Sequence, residues 1–228
     1  MNESSKSKLL RKDNFLDKFL KGDILDIGAG DDKIVEDAES FDKIDGNANE
    51  LSKYLNNEKR YDTIYSSHCL EHLNNPKKAL REWFFFLKKG GHLIIIVPDE
   101  DLYEQNIWPS YFSQEHNWSF TLNNNSDTKM EKSINLYNLI KESLKGEFDI
   151  VLSRQESINY NHKLKFKKKK YNKKDFLYKF LTRIAKKSKF VIFKDIINYI
   201  LISFGYPIDQ TYIYDNRLAQ ILVIVKKN

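Results

Sequence analysis

The segment Leu25-Asp26-Ile27-Gly28-Ala29-Gly30 constrains this chain more than any other. The run from Asp23 to Ile27 reads as a buried strand, and it feeds directly into a turn with two glycines. Glycine leaves the backbone bare, so a ligand can lie against the peptide at the carboxyl end of the strand, where open α/β sheets bind their ligands. A dinucleotide fingerprint would want a third glycine at position 33, but Lys33 stands there, preceded by Asp31 and Asp32. Two carboxylates at that turn would repel a pyrophosphate. Asp26, two positions before the first glycine, suits instead a ligand carrying an amine or a sulfonium.

A second segment follows at the spacing such a sheet requires. Tyr61 to Ser67 reads as a strand and leads to His68-Cys69-Leu70-Glu71-His72-Leu73. A helix over Pro76–Leu87 comes next, with Lys77, Lys78 and Arg81 on a polar face and Leu80, Trp83, Phe84 and Leu87 on an apolar one. Lys88-Lys89-Gly90-Gly91 has the composition of a helix stop. An apolar strand, His92 to Val97, then runs into Pro98-Asp99.

This order of strand, glycine turn, strand, acidic ledge, helix, Lys-Gly-Gly, strand and Pro-Asp resembles the class I S-adenosylmethionine-dependent methyltransferases. The resemblance spans residues 22–160 and returns at Leu218–Val225. Asp99 to Gln105, Ile107 to Ser110 and Glu115 to Thr121 are similar to a bacterial subfamily associated with surface-polysaccharide, or capsule, and small-metabolite modification. The resemblance implies a Rossmann-like α/β fold with a mostly parallel sheet of the seven-stranded type, flanked by helices. The third strand of that sheet has no clear counterpart here. The implied cofactor is S-adenosyl-L-methionine, and the implied reaction is O-methylation of a small metabolite or glycan precursor, with a phosphate- or phosphoramidate-bearing acceptor as one form.

Site residues follow from the same resemblance. Gly28, Ala29 and Gly30 would let the turn approach the amino-acid part of the cofactor, and Asp26 would act on its ammonium end. An acidic residue ending the second strand would accept from the ribose hydroxyls. Asp42 and Asp45 both qualify, and spacing from Gly28 favours Asp45. Asn47 and Ala48 fall where the adenine edge is contacted. Ser66, Ser67 and His68 stand where the next strand opens onto the reaction centre. In the long aromatic loop after Asp99, His116 is a candidate to take a hydroxyl proton or to hold a phosphate oxygen, with Tyr103, Glu104 and Trp108 shaping the acceptor site. His68 is the second catalytic candidate. His68 and His72 lie four apart, but Cys69 fills the place where a zinc-protease helix carries Glu, so no metal is expected. His72 reads as a capping or packing residue.

The rest of the chain is less specific. Residues 6–20 read as an amphipathic helix carrying Leu9, Leu10, Phe15, Leu16, Phe19 and Leu20 on one side. Asp31 to Ser40 is too short and acidic for the usual first helix. A brief strand is expected at 40–45, a short helix near Leu51–Leu55, a helix at 131–145, a strand at 148–157 and a closing strand at 218–225. Asn123 to Ser126 reads as a loop tip. An insertion at 158–214 within the one expected domain opens with Lys163, Lys165, Lys167–Lys170, Lys173 and Lys174, then shows helical spacing at Phe176, Leu177, Phe180, Leu181 and Ile184 before an apolar run from Val191 to Phe204. Two helices lidding the acceptor side are expected there.

The lysine run supplies much of the formal charge of +6, which leaves open an anionic acceptor, nucleic acid or an anionic membrane surface. A nucleic-acid methyltransferase would want an Asn-Pro-Pro-Tyr-like ledge where Ser66-Ser67-His68 stands, so no stable nucleic-acid partner is expected. A non-enzymatic membrane-surface or partner-binding module on the same scaffold is the third reading, and peripheral membrane contact remains open. A single cysteine, no secretory leader and no transmembrane stretch point to a cytoplasmic protein.

Overall fold

A computed structural model describes residues 3–11, 16–123, 131–168 and 170–228. Phe15 of the expected first helix, Asn124 to Ser126 of the expected loop tip, and Lys169 lie outside them.

The apolar runs build one six-stranded sheet. β1 (Ile24–Ile27), β2 (Glu39–Phe41), β3 (Tyr61–Ser67), β4 (Leu87–Pro98), β7 (Phe148–Glu156) and β8 (Gln220–Lys227) lie in the order β2-β1-β3-β4-β8-β7. β2, β1, β3 and β4 are parallel, and β8 runs antiparallel to both of its neighbours. Reversal of β8 matters for the site: it brings Gln220, its first residue, beside Pro98 at the carboxyl end of β4. β5 (Ser119–Thr121) and β6 (Ser133–Asn135) form a separate parallel pair. Among the described residues no strand lies between Phe41 and Tyr61, so the third strand of the fold is missing and a 3-10 turn at Leu51–Lys53 stands in that interval.

β4 shows why the sheet is buried on both faces. Leu93, Ile95 and Val97 enter one core with Leu25, Ile64, Leu80 and Trp83; Ile94 and Ile96 enter the other with Ile24, Tyr65 and Leu222. That is the two-residue alternation of a central strand with both faces covered. The first core is closed by α2 (Pro76–Phe85) and α3 (Leu136–Ser143). Asn75 caps α2 by accepting from the Lys78 amide at 2.9 Å, with Pro76 pre-set in the first turn.

Three expectations change. α2 ends at Phe85, and Lys88 to Gly91 belong to β4. Lys88 pairs with Asp23 at 2.8 Å and Asp62 at 2.7 Å, so its charge ties adjacent strands rather than capping helix carbonyls. Gly91 is required by contact: a Cβ there would meet the Asp62 carbonyl oxygen at 2.7 Å.

The N-terminal helix, α1 (Glu3–Leu10), carries Leu9 and Leu10 but stops before Leu16, Phe19 and Leu20, which were expected on it. It docks through polar groups while Leu9 is 71% exposed. The Ser5 amide donates to Asp32 at 2.9 Å, Lys6 to the Thr211 carbonyl at 2.9 Å, and Arg11, just beyond the helix, forms a buried ion pair with Glu156 at 2.7 Å. Finally, the expected helix at 131–145 is shortened to α3, because Ser133 to Asn135 pair as β6.

The chain between β7 and β8 forms α4 (Phe176–Lys187), α5 (Val191–Ser203) and α6 (Gln210–Ile213). They enclose a small core of their own, including Leu164, Tyr178, Ala185, Ile197, Leu201 and Tyr214. Among the described residues no helix is long and apolar enough to cross a membrane.

Candidate active site

The turn after β1 opens a cleft of about 750 Å³. Gly28 has φ +81°, and a Cβ there would meet the Cys69 Cβ at 2.6 Å, so its missing side chain admits the β3 ledge rather than ligand atoms. Gly30 differs. Its φ is +52°, and a Cβ would find only Asp42 Oδ2, at 4.0 Å, which leaves open space above the peptide. The Gly30 amide donates to Asp42 Oδ2 at 2.6 Å and the Lys43 amide to Asp42 Oδ1 at 2.5 Å, fixing that carboxylate at the cleft wall.

Asp45, favoured by spacing, does not line the cleft; its Oδ2 accepts from the Asp42 amide at 2.8 Å. β2 ends at Phe41, earlier than expected, and Asp42 therefore takes the strand-end position. Asn47 and Ala48 line the cleft, as do Gly28 and His68; Ala29 and Gly30 do not. Ser66 and Ser67 are buried within β3 and line neither this cleft nor the cavity beside it. Asp26 is also buried, and its Oδ2 accepts from the Ile34 amide at 2.7 Å, pinning the turn that follows. Burial pushes the Asp26 carboxyl up to about 7, against the opposing pull of the Ile34 amide.

A smaller cavity of about 290 Å³ adjoins the cleft, and His68 and His72 line both. His68 follows β3 directly with φ +53°, a conformation uncommon outside glycine, and its Nε2 lies 3.2 Å from Gln220 Oε1. The loop expected to carry acceptor residues is tied to the β3 ledge: the Asn117 amide donates to the Glu71 carbonyl at 2.8 Å, and Trp118 Nε1 to the Leu73 carbonyl at 2.9 Å. These bonds bring His116 into the small cavity, with Tyr103 beside it at a ring separation of 5.7 Å.

His116 Nδ1 lies 2.6 Å from Glu104 Oε1, and both side chains are at least 95% buried. A carboxylate only accepts, so Nδ1 donates to Glu104 and Nε2 is the nitrogen left to face the cavity. His72 is set the same way, its Nδ1 lying 3.1 Å from the Glu115 carbonyl oxygen. Glu71, fully buried between these rings, was missed by sequence reasoning, and His72 was read as packing. Burial pushes the Glu71 carboxyl upward, but His68 first, then His116 and His72, outweigh it and hold it below the usual carboxylate range. Ligand atoms of Glu71, His72 and His116 lie within 4.8 Å of one another, a donor set the spacing of His68 and His72 does not reveal. Cys69 is no nucleophile here: burial, with Glu71 adding to it, pushes its thiol up to about 12.

Trp108 departs from expectation. It lines a separate cavity of about 560 Å³ with Lys165, Lys167 and Lys168. The small cavity is lined instead by Asp209, which caps α6, by Thr211 and Tyr212 within that helix, and by Gln220. Of these only Gln220 has a signal in the sequence, the start of the closing strand.

Residues 4–141, more than half the chain, match the family described as Methyltransferase domain. The chain belongs to that family. It is an S-adenosylmethionine-dependent methyltransferase, and its sheet has the Rossmann-like order. Solved structures similar to it include a SAM-dependent methyltransferase from Archaeoglobus fulgidus, at 15% identity over 97% of this chain and 94% of that one, TM-score 0.48. Another, from Thermotoga maritima, shares 16% over 98% and 89%, TM-score 0.47. The YcgJ protein from Bacillus subtilis shares 12% over 94% and 97%, TM-score 0.47. No curated protein matches the chain.

The cleft suits the methyltransferase cofactor on its own terms. A bare peptide at Gly28, a fixed carboxylate at Asp42 able to accept from a diol, and a volume within the usual range for cofactor sites are what that ligand requires.

Proposed function

We propose that this methyltransferase O-methylates a neutral hydroxyl on a small polyhydroxylated acceptor, of the kind found in precursors of capsule and other surface glycans. The observation that carries this reading is the His116–Glu104 contact at 2.6 Å, with His116 lining a cavity that no lysine or arginine lines among the described residues. A neutral hydroxyl must lose its proton during transfer, and His116 Nε2 is an available acceptor for it. Glu104 acts as a positioning residue that fixes the tautomer and supports positive charge developing on the ring.

Bound S-adenosylmethionine supplies an activated methyl group on a leaving thioether. The chain's own task is to align and enclose. In this reading Asp42 accepts from the ribose hydroxyls, Asn47 and Ala48 border the adenine, and His68, held by Gln220, stands at the junction of cleft and cavity. Alignment of this kind is worth several kcal/mol of barrier.

A phosphate or phosphoramidate acceptor is disfavoured, because Glu71 and Asp209 line the cavity and would repel an anion. A nucleic-acid acceptor draws no support from the lysine run, since Lys165, Lys167 and Lys168 line the other cavity. The test is kinetic, using free and nucleotide-linked sugars with labelled cofactor. His116→Ala should lower turnover by about 10²–10⁴-fold while cofactor affinity stays within about twofold. Glu104→Gln should lower it by roughly 10–100-fold. Wild-type turnover in His116→Ala, or a loss expressed only in acceptor KM, contradicts the base role.

A further inference from the structure

α5 is built inside out. Its charged residues, Lys194 and Asp195, face the protein: Lys194 is buried and donates to the Ile213 carbonyl at 2.8 Å, while Asp195 accepts from the Tyr214 hydroxyl. Its outward face is apolar, with Ile192 77% exposed, Phe193 45% and Ile196 51%, and Phe190 just before the helix is 77% exposed. α4 extends this surface through Phe176 and Phe180, exposed and stacked at 6.0 Å. A helix in contact with water alone would carry the opposite pattern.

The surroundings indicate what covers the face. Lys179, Arg183, Lys187 and Lys189 are exposed on and just after α4, and Asp175 and Asp195 are the only acids from Lys173 to Phe204. Apolar side chains flanked by cations match a bilayer with anionic headgroups: the rings and branched chains enter the acyl boundary while the cations meet lipid phosphates. A protein partner would bring no comparable need for cations around an apolar centre.

We propose that the α4–α5 face docks on an anionic membrane surface. The assignment does not depend on the identity of the acceptor, but α4 also touches the lining of the small cavity. Lys186 Nζ sits 3.5 Å from the centre of the Tyr212 ring, and Tyr212 lines the small cavity. Docking through α4 is thereby linked to one residue of that cavity.

Vesicle flotation of the full chain tests this, using phosphatidylcholine with and without phosphatidylglycerol. Wild type should float with phosphatidylglycerol vesicles, less with phosphatidylcholine alone, and less as ionic strength rises. The double variant Phe190→Ser, Ile192→Ser should lose at least tenfold in partition. Each cation contributes roughly fivefold, so Arg183→Gln, Lys187→Gln, Lys189→Gln together should lose about a hundredfold and most of the salt dependence. All these side chains are exposed, so far-ultraviolet dichroism and melting should match wild type. Ile192→Trp should show an emission blue shift with anionic vesicles. Failure of wild type to float at low ionic strength overturns the proposal, as does wild-type flotation by the Phe190, Ile192 double variant. Light scattering that shows a dimer dissociated by that variant assigns the face to a second copy and overturns it too.

Discussion

Removing the Asp42 carboxylate should weaken cofactor binding far more than removing Asp45, although the two lie three residues apart. Asp42 Oδ1 and Oδ2 each hold one backbone amide, at 2.5 and 2.6 Å, and each keeps a further lone pair toward the cleft. A hydrogen bond to a charged acceptor contributes about 1.5–3 kcal/mol. Asp42→Ala should therefore weaken binding of the demethylated cofactor, S-adenosylhomocysteine, by about 10- to 150-fold. Asp42→Asn should fall between, since it keeps the shape and loses the charge. Asp45 only accepts from the Asp42 amide at 2.8 Å, at the surface, so Asp45→Ala should cost about 1 kcal/mol or less, under tenfold. Isothermal calorimetry with each purified variant reads these values directly, and unchanged unliganded melting shows that the fold is intact. Wild-type affinity in Asp42→Ala, or a larger loss in Asp45→Ala, would refute the assignment of the cleft wall.

Gly28→Ala should destabilise the protein by about 2 kcal/mol or more and lose cofactor binding with it, because the new Cβ meets Cys69 Cβ in a left-handed backbone. Cys69→Gly should recover part of that loss in the double variant, whereas Gly30→Ala, with open space above it, should cost only about 1–2 kcal/mol. The Asp26 carboxyl, raised to about 7 by burial, gives a signed pH effect. Between about pH 4 and pH 7 the native state holds a proton that the unfolded chain has released, so this group's contribution to stability falls as pH rises through that window. Urea unfolding of Asp26→Asn against wild type should show a difference growing from pH 4 to pH 7 and level above it, by up to about 4 kcal/mol; a difference independent of pH contradicts the assignment.

Legibility in the sequence followed the range of the interactions. The β1 turn, the continuous apolar run from His92 to Val97 and the helical spacing at Phe176 to Ile184 are local patterns, and each became the element it suggested. α1 was misplaced because apolar periodicity is blind to a helix that docks through Ser5, Lys6 and Arg11. Spacing favoured Asp45 over Asp42, but the cleft takes Asp42, because the difference lies in where a three-residue strand stops. The pairing of His116 with Glu104 spans twelve residues of irregular loop, and its approach to His72 depends on bonds from Asn117 and Trp118 to the distant β3 ledge. Tyr212 and Gln220 reach the same cavity from the far end of the chain, with only the reversed direction of β8 to announce the second.

Where the methyl group lands is the most direct test of the whole account. Wild type and His116→Ala would be incubated with carbon-13 methyl-labelled S-adenosylmethionine and a panel of free, nucleotide-linked and phosphorylated sugars, and the products read by carbon NMR. The account predicts a labelled methyl ether on a neutral hydroxyl, formed by wild type and lowered by at least about a hundredfold in His116→Ala. Label on nitrogen, sulfur or a phosphoryl oxygen, or an ether formed equally well without His116, would contradict it.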